Sequence, residues 1–116
     1  MTSVFHKTIN VDDLEDGQST CVDVQGWKIA LCKSDGSFFA VINLCTHANS
    51  EMVGGRIRRG AISCPLHGAL FKLDSGENVG AQYKPLRVFP VRIENDIVEI
   101  AIPDEAPPPP TLVPSI

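Results

Sequence analysis

Residues 44–50 read Leu44-Cys45-Thr46-His47-Ala48-Asn49-Ser50, and residues 63–71 read Ser63-Cys64-Pro65-Leu66-His67-Gly68-Ala69-Leu70-Phe71. The first stretch holds a C-x-H unit and the second a C-x-x-H-G unit, with 16 residues between them. Thiolate and imidazole are the side chains that hold soft and borderline metals. Each pair follows a strand-like run and lies among glycine or proline, so two neighbouring loops can close on one site. A single pair would be weak evidence. Two pairs of different spacing, each in a turn context, make Cys45, His47, Cys64 and His67 candidate metal ligands.

Outward from these loops the chain reads as short strands. Runs at 4–9, 19–24, 27–33 and 37–44 precede the motif, and runs at 61–63, 69–73, 86–94 and 97–102 continue through and beyond it. β-Branched and aromatic residues fill them, and turn signals separate them. Gln25-Gly26, Ser34-Asp35-Gly36 and Asn95-Asp96 are hairpin turns, where glycine or a short polar residue accepts a positive φ. Asn10 can cap one helical turn over residues 10–14. No long helical period and no internal repeat is present. The expectation is an all-β domain over residues 1–102, an antiparallel β-sandwich of short strands. Residues 43–80 hold six of the nine glycines and both motif pairs, which predicts a small metal-binding subdomain inserted in the sandwich. The Pro-rich C-terminal tail, 103–116, cannot join a sheet interior and should be extended or disordered.

With 116 residues, 43% of them hydrophobic and 21% charged, the chain is sized and composed like one globular domain. Its net charge of −4 argues against general nucleic-acid binding, which needs a basic face. The charge is unevenly spread: residues 54–92 carry seven Lys/Arg against two Asp/Glu, while 93–116 carry none against five. Arg56, Arg58 and Arg59 belong to the basic part, and alternation places Arg56 and Arg58 on one face of a short strand. A solvated hairpin and a docking surface are both open readings. The N-terminus lacks the pattern of a secretory signal, and no run approaches the roughly 20 apolar residues of a membrane span. A cytoplasmic setting is expected, with cysteines reduced unless they bind metal. Cys21 and Cys32 read as buried free thiols, Trp27, Phe38, Phe39 and Phe71 as core, and His6 as an ordinary strand residue.

The donor set alone admits a closed Cys₂His₂ zinc site. Zinc fingers usually group their cysteines and their histidines, however, and here each loop supplies one of each. A binuclear cluster suits that pairing, with two thiolates on one iron and two imidazoles on the other. The two motifs, with Gly68-Ala69-Leu70-Phe71, Gly76 and Pro85-Leu86, closely resemble the Rieske family over roughly residues 4–102. The resemblance implies an antiparallel β-sandwich with one [2Fe–2S] cluster. Cys45 and Cys64 would hold the inner iron, and His47 and His67 the outer iron near the surface. Residues 82–86 would be a third loop, containing Pro85, over the cluster.

Departures from the family pattern set the subclass. High-potential Rieske proteins carry two further cysteines that tie the loops together; those positions are Ser50 and Leu66 here. They also carry a serine whose hydroxyl bonds a cluster sulfide, at the position of Ala69. Fewer hydrogen bonds to the sulfurs lower the potential, so a value near the low end of the Rieske range, about −150 mV, is expected. The resemblance is to ferredoxin components of aromatic-ring-hydroxylating dioxygenases. These are not enzymes: they take single electrons from a flavin-containing NAD(P)H ferredoxin reductase and pass them to a terminal Rieske oxygenase. His47, His67 and Pro85, with Arg56, Arg58 and Arg59, are candidate docking residues of a monomeric carrier. A Rieske-fold small subunit of a nitrite reductase, or of another oxidoreductase complex, is the alternative.

Overall fold

Four two-residue turns, each with positive φ at both positions, fix the register of four hairpins. Gln25-Gly26 (φ 54° and 87°) joins β2 (Ser19–Val24) to β3 (Trp27–Ser34), and Asp35-Gly36 (52° and 83°) joins β3 to β4 (Ser37–Ile42). Arg59-Gly60 (54° and 75°) joins β5 (Ile57–Arg58) to β6 (Ala61–Ser63). Asn95-Asp96 (51° and 66°) joins β9 (Val91–Glu94) to β10 (Ile97–Ile102). Paired positive φ values match the twist of the flanking strands, which is why such turns favour Gly, Asn and Asp. These features come from a computed structural model that describes residues 4–45, 50–66 and 68–103. The expected tail from 104 onward, and His47 and His67, lie outside the described residues.

The strands form three antiparallel sheets. With β1 (Val4–Asn10), β7 (Leu70–Lys72) and β8 (Val88–Phe89), their orders are β1-β10-β9, β2-β3-β4-β8 and β5-β6-β7. After β1, Asn10 caps a 3₁₀ turn at Val11–Asp13: its Oδ1 accepts from Asp12 N, and the Asp13 carboxylate accepts from Asn10 N. The all-β antiparallel architecture expected from the sequence is the one observed.

One expected strand, 86–94, is instead two. Pro90 has no N–H to give a ladder, and the chain changes sheet there. Val88–Phe89 pairs with β4, while Val91–Glu94 pairs with β10. The Pro90 carbonyl still accepts from Ala101 N at 2.9 Å.

The middle sheet is covered on both sides. Trp27, Ile29 and Leu31 of β3 pack with Ala40, Phe89, Val98, Ile100 and Ile102 in the sandwich core. Ala30 and Cys32, which alternate with them, belong to a second core with Val41, Met52, Ile62, Phe71, Leu73 and Leu86. Phe38 and Phe39, one residue apart on β4, divide between the two cores. Trp27 meets Phe89 edge-on with ring centroids 5.4 Å apart, which places it in the core as expected.

The two thiols outside the metal motif part company. Cys32 is fully buried, and burial pushes its thiol from 9.0 up to about 12. Cys21, expected to be buried, is exposed, because β2 is an outer strand and no neighbouring sheet covers that position. In the folded protein iodoacetamide should therefore label Cys21 while sparing Cys32, as peptide mass spectrometry would show. The unfolded Cys32 thiol loses its proton near 9 and the folded one near 12. The folded state thus holds more protons between those values, and stability should fall as pH rises from 9 to 12. A Cys32→Ala variant should show a weaker decline in urea titrations across that window.

Candidate metal centre

Cys45 and Cys64 each open a loop just beyond a strand, and both loops close by the same hydrogen bond. Cys45 N donates to Ser50 O at 2.7 Å, and Cys64 N donates to Ala69 O at 2.7 Å. In each case the cysteine amide meets the carbonyl five residues on. Gly68 N adds a bond back to Cys64 O at 2.8 Å. Both cysteines are essentially inaccessible to solvent, and both lie in the second core. The structure thus brings together the cysteine half of the expected ligand set; the histidine half lies outside the described residues.

That arrangement fits the sulfur side of a [2Fe–2S] cluster. Both sulfurs belong to one buried cluster with Met52, Ile62, Phe71 and Leu86, and cysteine sulfur is the donor an iron–sulfur cluster takes. Among the described residues no group of three or more His, Cys, Asp or Glu forms a rival metal site. Ser50 and Leu66 cannot form the disulfide of the high-potential type. Ser50 Oγ instead donates to Glu51 O at 3.2 Å, and Leu66 is exposed. Ala69 presents a methyl group and no hydroxyl.

Two close approaches set the loops against the strands. A Cβ on Gly55 would come within 1.9 Å of Ser63 O, next to Cys64. A Cβ on Gly76, which has φ of +80°, would come within 2.0 Å of Leu86 O. Leu86 N in turn donates to Gly76 O at 2.8 Å, so buried Leu86 anchors the otherwise exposed 82–86 loop, Pro85 included.

Two buried asparagines were not apparent from the sequence. Asn43 Oδ1 accepts from Met52 N at 2.7 Å and from Val53 N at 3.0 Å. Asn78 Oδ1 accepts from Gln82 N at 2.8 Å and from Tyr83 N at 3.2 Å, while its Nδ2 donates to Leu70 O at 3.0 Å. The available signal was an Asn two residues before Cys45 and another two after Gly76, since Asn bonds readily to nearby backbone amides.

Arg56, Arg58 and Arg59 are exposed, and among the described residues none is in an ion pair. The pairings Arg58↔Ala61↔Lys72 and Ser63↔Leu70 put small residues in the middle strand of that sheet. Ile57, Ile62 and Phe71 form the opposite, core-facing row. Arg56 and Arg58 therefore share the outer face, as alternation predicted. They line an open groove of about 700 Å³ with Arg59, Ala61, Ser63 and Lys72, and among the described residues Asp74 is its one carboxylate.

Residues 4–90 match the model of the Rieske [2Fe-2S] domain. The ferredoxin component of the naphthalene 1,2-dioxygenase/salicylate 5-hydroxylase systems of Ralstonia sp. is 36% identical over 96 residues, 82% of this chain and 92% of that protein. The ferredoxin of carbazole 1,9a-dioxygenase from Nocardioides aromaticivorans IC177 superposes with a TM-score of 0.77 at 26% identity, covering 93% of this chain and all of that one. A proposed NADH-dependent nitrite reductase small subunit from Mycobacterium tuberculosis superposes with a TM-score of 0.82 at 24% identity, over 90% of this chain and all of that one, a likeness of fold. By its sequence match and by the paired loops that bury Cys45 and Cys64, the chain belongs to the Rieske [2Fe–2S] family.

Proposed function

We propose that this chain is an electron-carrying Rieske ferredoxin. It takes single electrons from a flavin-containing NAD(P)H ferredoxin reductase and delivers them to the terminal oxygenase of an aromatic-ring-hydroxylating dioxygenase. The observation that carries the reading is the match to 92% of the Ralstonia ferredoxin component, a relative named as an electron-transfer part and not as the oxygenase. Cys45 and Cys64 would hold the inner iron of one cluster, and His47 and His67 the outer iron. A bound [2Fe–2S] cluster supplies reversible one-electron chemistry. The protein's part is to keep the thiolates dry, to hold the loops, and to offer a partner a short path to the histidine side. No helix among the described residues is long and apolar enough to cross a membrane; a cytoplasmic setting and a monomeric state are part of the same proposal. Domain limits of 1–102, with a cluster-binding subdomain at about 43–80, belong to the same reading.

Purified holoprotein should contain about two iron and two acid-labile sulfide per chain, with an EPR signal that appears on one-electron reduction. Cys45→Ser and Cys64→Ser variants should lose both. Zinc in place of iron would overturn the cluster. A loaded protein that cannot pass electrons to a ring-hydroxylating oxygenase, yet supports a nitrite reductase, would overturn the ferredoxin role. Ala69→Ser adds a hydroxyl donor beside the second loop, so its potential measured by voltammetry should be more positive than that of the native protein.

Docking would use exposed Pro85 with His47 and His67, steered by Arg56, Arg58 and Arg59. A cluster of cations that outnumbers the carboxylate beside it favours an acidic partner surface. Reversing all three to glutamate should slow electron delivery at low salt, with the difference vanishing at high salt as screening removes the steering. Equal stopped-flow rates at low salt would remove the arginines from docking.

A further inference from the structure

We infer that Asn43 and Asn78 are positioning residues that hold the cluster-binding loops in register, acting as a matched pair of backbone brackets. The inference rests on the reading that these loops carry a [2Fe–2S] cluster.

The two side chains do the same thing in different places. Each is buried, each carboxamide oxygen accepts from two consecutive backbone amides, and those amides lie four to ten residues further on. Two N–H donors converging on one atom identify that atom as the oxygen, so the NH₂ group of each must point the other way. Asn78 Nδ2 donates to Leu70 O, and Asn43 Nδ2 reaches Glu51 Oε1 at 3.4 Å and Cys21 Sγ at 3.5 Å.

Their positions relate to different loops. Asn43 stands two residues before Cys45, and the amides it collects, Met52 and Val53, follow Ser50, whose carbonyl closes the first ligand loop. It therefore ties the outgoing end of that loop to its incoming end. Asn78 grips the start of the third loop with its oxygen. With its nitrogen it grips Leu70, the first residue of β7, directly after the second ligand loop closes at Ala69. It therefore fixes the third loop relative to the second. The amides of Met52, Val53, Gln82 and Tyr83 make no strand ladder, so the brackets supply partners that regular structure does not.

The chemistry explains why asparagine stands at both places. Alanine leaves four backbone donors without their acceptor. Aspartate keeps the acceptor but removes the outward donor, and at 78 it would turn an oxygen towards the Leu70 carbonyl. At 43 it would turn a carboxylate oxygen towards Glu51 Oε1, so aspartate should preserve the bracket only where Glu51 is neutralised as well, as in the double variant Asn43→Asp/Glu51→Gln.

The test uses the cluster-loaded full chain. The Asn43→Ala and Asn78→Ala variants, the double variant Asn43→Asp/Glu51→Gln, and Val98→Ala are compared for Tm, reduced EPR line shape, and the rate of cluster loss by visible absorbance under an iron chelator. Val98 is a buried residue of the sandwich core, so its variant reports generic destabilisation. The expected result is cluster loss about 10- to 100-fold faster in both alanine variants, the scale of lost support around a metal site, with broadened EPR features. Val98→Ala should lose Tm without either change, and Asn43→Asp/Glu51→Gln should remain near the native rate. If an alanine variant does not fold, Asn43→Ser and Asn78→Ser replace them, with the same expectation. Cluster loss and EPR shape that track Tm alone, in Val98→Ala as in the asparagine variants, would overturn the inference. A native protein that binds no cluster would instead overturn the family function on which it rests.

Discussion

Strand β3 is buried on both faces, and most of the molecule follows from that constraint. Alternation sends Ile29 and Leu31 to one core and Ala30 and Cys32 to the other, and all four are fully buried. An antiparallel sheet with one wet face could have ended the fold at the sandwich. Here the second face needs a cover, and the small sheet carrying Ile62 and Phe71, together with Met52 and Leu86, supplies it. Cys45 and Cys64 enter the same layer, so burial of the thiols and completion of the core are one event. Loading a metal there should therefore stabilise the fold as well as equip it, since a site absent from the unfolded chain adds its binding energy to folding.

A covering layer built mostly of loops meets a second demand. Its backbone amides cannot all reach a ladder, and buried ones left unpaired cost about 1–3 kcal/mol each. The molecule answers with short closures: the cysteine amides bond across their own loops, and Asn43 and Asn78 collect two amides apiece. Gly55 and Gly76 let carbonyl oxygens approach to distances no side chain would permit.

How far the sequence foretold this depended on the range of the interactions. The hairpins at Gln25-Gly26, Asp35-Gly36 and Asn95-Asp96 were legible because the turn chemistry is local. The fourth was open as a solvated hairpin around the arginines, but its turn at Arg59-Gly60 was not legible, because an arginine at positive φ gives no such signal. The family was legible because metal chemistry limits the residue types and the spacing of its two motifs. Pro90 was misread as lying within one strand, since apolar residues flank it on both sides and the change of sheet is a tertiary event. Cys21 was misread because strand order decides exposure, and strand order is not local. The asparagine brackets were hidden for the same reason, as their partners include Leu70 and residues up to ten positions away.

Charge completes the argument for a carrier. Of the seven cations in residues 54–92, Arg92 is bound to Glu99 at 2.8 Å and Arg87 lies 5.0 Å over the Trp27 ring. Both serve the sandwich. Lys72 makes one long, exposed contact with Glu77, at 3.9 Å, of the kind worth little in water. Lys84 belongs to the third loop, and the other four, Arg56, Arg58, Arg59 and Lys72, line the groove on the outer face of β5-β6-β7, over a floor of Ala61 and Ser63. A protein of net charge −4 with one cationic face is drawn to an acidic partner in a preferred orientation and repelled in the others. β6 lies in that face and runs directly into Cys64, so an encounter that used the groove would arrive beside the second loop. A transient carrier needs that arrangement more than it needs tight binding, because it must leave each partner in order to reach the next.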